Sequence, residues 1–203
     1  MSNTVFILAW SSFFLAVISY VFGCAAMLRG RAQPSIISRF FWLVLSITNL
    51  LSYFDLDAGS GIYLALSGML GSGAVFFLSL RYGYTEFKRA DILTIVGACV
   101  ALFCYFCIPI KLIALAAGLL THFISGIPTY KRTWNNPYTE NLPFWFLFAM
   151  ASTCSFVGVF MQEKNMIYPL YFLLFDAGMA LLIVVKRQRL KSSDTDKLRP
   201  LPV

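Results

Sequence analysis

The chain contains long apolar runs without a single charged residue, and these runs constrain its fold more than any other feature. The first, residues 5–28, is long enough to cross a bilayer, because about 20 helical residues span the hydrocarbon core. The 203-residue chain is 59% hydrophobic and 12% charged, whereas a soluble domain is about 25% charged. A water-soluble fold of this size could not bury so much apolar surface. The sequence therefore predicts an all-α, multi-pass integral membrane protein.

Seven apolar runs predict seven transmembrane helices. They cover residues 5–28, about 40–54, about 62–80, 92–110, 112–130, 142–161 and about 166–185. The boundary between the fourth and fifth helices depends on Pro109 and Lys111, because proline ends a helix and a charge favours a turn. The polar segment 188–203 is expected to be a disordered tail.

The basic residues are sorted to one side of the predicted membrane. Fourteen of the sixteen Lys and Arg residues fall on the side of the C-terminus, and only Lys111 and Lys164 fall on the other. The positive-inside rule then places the N-terminus outside and the C-terminus in the cytoplasm. We expect a plasma membrane or a bacterial inner membrane. The net charge of +7 indicates contact with lipid headgroups, and no nucleic-acid partner is expected.

The sequence also contains a weak internal repeat. Shifting it by 103 residues aligns six identical residues within 20–52, and the aligned pairs are Gly23 with Gly126, Arg29 with Arg132, Pro34 with Pro137, Phe41 with Phe144, Trp42 with Trp145 and Ser52 with Ser155. The shift spans four helices, so both copies would cross the membrane in the same direction. The predicted arrangement is 3+1+3, with parallel triple-helix units at 1–84 and 112–187 and a linker helix at 85–111.

The fifth helix ends in Pro128-Thr129, followed by the basic segment "YKRTWNNPYTENLPFW". This topology and segment resemble the superfamily of SWEET and PQ-loop transporters, which includes PnuC-type vitamin-precursor transporters and the KDEL receptor. In the PQ-loop pattern a Gln follows the Pro, where this chain has Thr129, and the first copy has Ala25-Ala26 instead. The resemblance implies a secondary transporter of a small polar solute, such as a sugar, an amino acid or a vitamin-like molecule, that works by alternating access. Two alternatives are a non-transporting receptor or assembly factor on the same fold and an intramembrane enzyme.

Two ionisable residues lie near the middle of predicted helices. Asp176 is about ten residues into the seventh helix and His122 about ten into the fifth. A carboxylate in the membrane is costly and usually faces a cavity or a partner, and imidazole relays protons near neutral pH. We expect a proton or cation site, or a substrate contact, in which the two residues touch. The alternative for each is a structural hydrogen bond between helices.

Further candidate residues come from the repeat. Trp42 and Trp145 would form aromatic walls or a gate of a shared pathway, or else belong to an interfacial aromatic belt. Asn49 and its repeat equivalent Ser152 would supply hydrogen bonds between the two halves. The expected hinge or motif positions are Gly23, Pro34, Gly126, Pro128 and Pro137.

Enzymatic signatures are missing from the sequence. It contains no H-E-x-x-H, G-x-S-x-G or P-loop motif, and a single histidine cannot by itself furnish a zinc site. The five cysteines lie in apolar runs and are read as small apolar residues. No catalytic residue, metal or cofactor is expected. The expected partners are a small-molecule substrate and membrane lipid, and a homo-oligomer is left open.

Overall fold

The structure is a computed structural model that describes residues 2–30, 35–83, 85 and 89–197, without the side chains of 89, 90 and 192–197. The described chain folds into seven α-helices and one short 3-10 turn. In chain order they are α1 (Asn3–Leu28), α2 (Ile36–Asp55), the turn (Gly59–Gly61), α3 (Ile62–Tyr82), α4 (Arg89–Cys107), α5 (Lys111–Asn135), α6 (Leu142–Phe160) and α7 (Ile167–Lys197).

Six of these helices are long and apolar enough to cross a bilayer, namely all except α4. The described apolar part of α4, Asp91–Cys107, is shorter. Large apolar side chains such as Phe6, Phe77 and Phe160 are exposed on the outside of the bundle, as expected where the solvent is lipid. The protein is therefore a multi-pass helical membrane protein.

Local sequence signals explain where several helices begin and end. The hydroxyl of Ser2 accepts a hydrogen bond from the backbone N–H of Val5 and caps α1, and Ser35 caps α2 through Ser38 in the same way. The predicted break near Pro109 is confirmed, since α4 ends at Cys107 and α5 begins at Lys111. Proline disfavours the helical conformation of the residue before it, so the helix stops there.

Two helices extend further than the sequence indicated. The fifth helix was expected to end at Tyr130, but α5 continues through Pro128 to Asn135, since one proline removes a single helical hydrogen bond. The expected disordered tail from residue 188 is corrected over its described part, because α7 continues to Lys197. Residues 186–197 contain neither Pro nor Gly and include several good helix formers.

Side-chain contacts show that α4 runs between the same two ends of the bundle as the longer helices. Near its start, Asp91 accepts hydrogen bonds from Ser35 and Ser38 at the start of α2. Near its other end, the Tyr105 hydroxyl donates to Asp55 at the end of α2 at 3.2 Å. The helix therefore covers the whole distance between the two ends.

The two ends differ in charge. Among the described residues the end that holds the start of α2 carries Arg29, Arg39, Arg81, Lys131, Arg132, Lys186, Arg187, Arg189 and Lys191. We call this the basic end. The opposite end, called the outer end below, carries Lys111 and Lys164 together with the acidic residues Asp55, Asp57 and Glu163.

The helices have a regular pattern of neighbours. Helix α3 packs against both α1 and α2, and α7 packs in the same way against both α5 and α6. Between these two sets, α1 packs against α6 and α2 packs against α5. Helix α4 packs against α2 and α5. The neighbours of α1, α2 and α3 therefore correspond one by one to the neighbours of α5, α6 and α7.

Candidate functional site at the centre of the helix bundle

His122 lies in the middle of α5 among aromatic side chains from α2 and α7. Its Nδ1 is hydrogen bonded to the hydroxyl of Tyr171 at 2.8 Å. Its ring centroid lies 4.9 Å from that of Trp42, 5.1 Å from Phe172 and 5.0 Å from Phe175. Because Trp42 belongs to α2, the imidazole links the two sets of three helices.

Asp176 lies one turn beyond Phe172 on α7 and is only 3% exposed. Its Oδ2 has no hydrogen-bond partner in the described chain. The carboxyl is within electrostatic range of the hydroxyl groups of Tyr20 on α1, Tyr130 on α5 and Tyr171. A buried carboxyl oxygen without a partner is costly, and it marks this position as a candidate site for a proton or a ligand.

The expected direct pairing of His122 with Asp176 is not formed, since neither a hydrogen bond nor an ion pair joins these two described residues. The α7 residue that hydrogen bonds to His122 is Tyr171 instead. Five residues separate Tyr171 from Asp176, which at 3.6 residues per turn places them about 140° apart around the helix axis.

The two tryptophans of the repeat have different surroundings. Trp42 is partly buried, packs on His122, and has the Arg39 guanidinium 4.9 Å above its ring. Trp145 on α6 is 8% exposed, packs on Phe175 at 6.1 Å, and donates its indole N–H to Glu140 at 3.2 Å. Both rings are thus directed into the bundle.

Asn49 lies at the contact between α2 and α5. It is 2% exposed, and its Oδ1 has no hydrogen-bond partner in the described chain. A Cβ atom on Gly118 would lie 1.9 Å from this oxygen, so the glycine permits the close approach. Ser152, the repeat equivalent of Asn49, is fully buried on α6, and its hydroxyl also lacks a described partner.

Ser52 on α2 and Ser155 on α6, which are aligned in the sequence repeat, lie one turn beyond Asn49 and Ser152. Both are buried, and their hydroxyl oxygens also lack a hydrogen-bond partner in the described chain. Helices α2 and α6 therefore each carry two buried side chains with a polar atom that lacks a hydrogen-bond partner in the described chain. Such groups are costly in an apolar interior. We interpret them as part of the candidate site.

The expected hinge and motif residues have varied roles. Gly126 is buried against Phe175, whose ring would lie 2.5 Å from an added Cβ, and Gly23 faces Phe144. Pro128 lies exposed inside α5. The carbonyl of buried Pro137 accepts two hydrogen bonds from Arg187, at 3.1 and 3.2 Å. Pro34 lies outside the described residues.

Sequence reasoning did not identify Tyr171, Tyr20 or Tyr130 as parts of this site. The Tyr130 hydroxyl donates to the carbonyl oxygen of Phe175, and Tyr20 packs on Phe144 and Phe148 of α6. Tyrosine inside an apolar run resembles an interfacial anchor.

Two apolar grooves lie on outer faces of the bundle rather than at this site. The larger, of about 840 Å³, is lined mainly by α6 and α7 residues such as Phe146 and Leu181. The smaller is lined by α1 residues such as Trp10. Within the described part of the chain, no three His, Cys, Asp or Glu residues are grouped to hold a metal ion, and all five cysteines are unpaired.

No known protein-family model matches the chain, and neither a curated protein nor a solved structure is similar to it.

Proposed function

We propose that the protein is a secondary transporter of a small polar solute that works by alternating access between two triple-helix units. In this proposal α1–α3 form one unit, α5–α7 form the other, and α4 links them in a 3+1+3 arrangement like that of the SWEET and PQ-loop superfamily. The N-terminus lies outside and the C-terminus in the cytoplasm, because the basic end carries most of the described Lys and Arg residues.

The pattern of helix neighbours supports this arrangement. In each unit the third helix packs against the other two, and the units meet through equivalent pairs, α1 with α6 and α2 with α5. Repeat units of this kind move against each other around a site at mid-membrane. In this proposal the site comprises Asn49, His122 and Asp176, together with Trp42 and Ser152.

The observation that carries the proposal is the buried Asp176 carboxyl, whose Oδ2 has no partner in the described chain. A purely structural carboxyl would be expected to hydrogen bond with a neighbouring helix. An unpaired carboxyl is suited to pick up a proton from one side of the membrane and release it to the other. We propose that this step couples transport to a proton gradient.

In this proposal contacts between the two units close the outer end. The backbone N–H of Ser60 donates to Gln162 at 2.6 Å, and the Tyr53 hydroxyl donates to the carbonyl of Asn165 at 2.6 Å. Lys164 forms an ion pair with Asp57. These contacts join the α2–α3 connection to the α6–α7 connection, so in this proposal they separate when the site opens outward.

Transport assays on purified protein in proteoliposomes test the proposal. Radiolabelled neutral, cationic and anionic solutes are supplied with and without an imposed pH gradient, and the wild type is compared with Asp176→Asn. The variant keeps the shape and hydrogen-bonding capacity of the side chain but cannot titrate. We expect accumulation of at least one solute by the wild type and loss of gradient-driven accumulation in the variant.

Glu163→Gln serves as the matched control, because Glu163 is an exposed acidic residue at the outer end. It should transport like the wild type. If a solute binds the protein but no solute crosses the membrane, the receptor alternative replaces the transporter.

A further inference from the structure

We infer, on the basis of the proposed transport function, that the substrate is a small organic cation and that it exchanges with a proton at the Asp176 carboxylate. The first reason is the charge distribution. In the apolar middle of the described helices Asp176 is the sole Asp, Glu, Lys or Arg residue. A carboxylate at this depth requires either a proton or a positively charged partner, and the described chain supplies no cationic side chain to pair with it.

The second reason is an aromatic cluster that includes Phe172 and Phe175, the neighbours of Asp176 on α7. The face of an aromatic ring is negative and attracts cations, most strongly where water is excluded. The rings come from four helices and belong to Tyr20, His122, Tyr130, Phe144, Trp145, Phe148, Tyr171, Phe172 and Phe175. A carboxylate next to such a cluster is complementary to an ammonium or guanidinium group.

Helix α2 contains one basic residue, Arg39, which lies near its start at the basic end. Its guanidinium lies over the Trp42 ring, 4.9 Å from the ring centroid. An anionic substrate is the main competing outcome of the test.

Tyrosine hydroxyl groups from three helices lie within electrostatic range of Asp176. They belong to Tyr20 on α1, Tyr130 on α5, and Tyr168 and Tyr171 on α7 itself. Helix α6 contributes no charged residue in Leu142–Phe160. Among these groups Asp176 is the one carboxyl, and the others are phenols. We therefore assign to the Asp176 carboxyl the competition between a proton and the cation.

The exchange step balances in charge. The Asp176 carboxyl breaks its O–H bond, the proton leaves to the aqueous phase on one side, and the resulting carboxylate binds the monovalent cation from that side. On the other side a proton displaces the cation and re-forms the O–H bond. Each cycle moves one cation against one proton and no net charge.

A binding experiment tests the first half of this step. The probes are choline, tetramethylammonium and guanidinium, each added to purified protein in weakly buffered detergent solution with a pH-indicator dye. We expect release of about one proton per protein on cation binding, and none with glucose, with glutamate or with 3,3-dimethylbutan-1-ol, the uncharged isostere of choline. Asp176→Asn should release no proton and bind the cation about tenfold or more weakly, whereas Glu163→Gln should match the wild type.

A flux experiment tests the second half. In proteoliposomes loaded with a pH dye, an inward choline gradient should make the lumen alkaline, and clamping the membrane potential with potassium and valinomycin should not change the rate. Quaternary ammonium ions avoid the passive permeation of neutral amines.

Failure of all three cations to release protons overturns the inference. If glucose or glutamate is nevertheless transported, the proposed transport function survives and its substrate is neutral or anionic. If no solute is transported or bound, the proposed function fails as well.

Discussion

His122 on α5 and Tyr171 on α7 are joined by a 2.8 Å hydrogen bond between the imidazole Nδ1 and the phenol oxygen. The same imidazole packs on Trp42 of α2. One side chain therefore connects α5 both to its neighbour α7 and to a helix of the other set. A substitution that alters the His122 contact with one helix should therefore also affect its contact with the other. This makes the hydrogen bond a suitable first target for mutation.

Tyr171→Phe should lower the thermal stability of the purified protein. The substitution leaves the His122 Nδ1 without its partner, and the loss of such a hydrogen bond costs about 1 kcal/mol. Tyr82→Phe is the matched control, since the Tyr82 hydroxyl forms no hydrogen bond in the described part of the chain and its ring, which faces Arg81, is kept. Melting curves in detergent provide the measurement. Equal melting temperatures for the two variants would contradict the prediction.

Gly118→Ala should destabilise the contact between α2 and α5. Its new Cβ would lie 1.9 Å from the Asn49 Oδ1, and forced overpacking costs about 1–3 kcal/mol. Gly73→Ala should be tolerated, because the nearest atom, Leu43 Cδ1, is 3.8 Å away. Denaturation midpoints of the two variants provide the comparison.

The same contact can be tested by rescue. Asn49→Ala removes the oxygen that clashes, so the double variant Gly118→Ala, Asn49→Ala should recover much of the stability lost by Gly118→Ala alone. Contacting residues are expected to show such non-additivity. Strict additivity of the two single effects would mean that the clash does not cause the loss.

A disulfide between positions 60 and 158 should form and stop transport. The Ser60 Cβ lies 3.7 Å from the position of a Cβ on Gly158, within the range of about 3.5–4.5 Å found in disulfides. The bond would tie the α2–α3 connection to α6 and hold the outer end closed. Ser60→Cys with Gly158→Cys is made in a background without the five native cysteines, and proteoliposome uptake is measured before and after oxidation.

Reduction should restore uptake, and each single cysteine variant should be insensitive to oxidant. Uptake that continues at the original rate after complete cross-linking would count against opening at this end.

A reporter fused after Val203 should locate the C-terminus in the cytoplasm. The basic end carries most of the described Lys and Arg residues, and such residues are retained on the cytoplasmic side. A fluorescent protein that matures only in the cytoplasm should be bright, and a phosphatase that folds only outside should be inactive. The opposite pair of results would reverse the proposed orientation.

The sequence predicted the helices well because their signal is simple. Charge-free runs and Pro109 locate most helix ends, since burying a charge in lipid is costly. The end of α7 was missed, because a polar composition past residue 186 does not distinguish a solvated helix from a disordered tail. Length and hydropathy say nothing about which helices touch.

The sequence identified individual candidate residues but not the contacts between them. Asp176 and His122 were identified because ionisable groups are rare in an apolar span. Their expected contact failed because equal depth does not fix the rotation of a helix about its axis, and that rotation is set by packing contacts such as Gly126 against Phe175. Tyr171 was missed for the same reason.

Helix α7 spans 31 residues, which is about 46 Å at 1.5 Å per residue, whereas the hydrocarbon core is about 30 Å thick. It therefore stands beyond the bilayer as a rod, with Lys186 and Arg187 held on Trp134 and on the carbonyl of Pro137. A rod of this kind acts as a lever. A small tilt of the helix about its middle would move Lys197 further than Asp176, and so would carry a change at mid-membrane to the basic end.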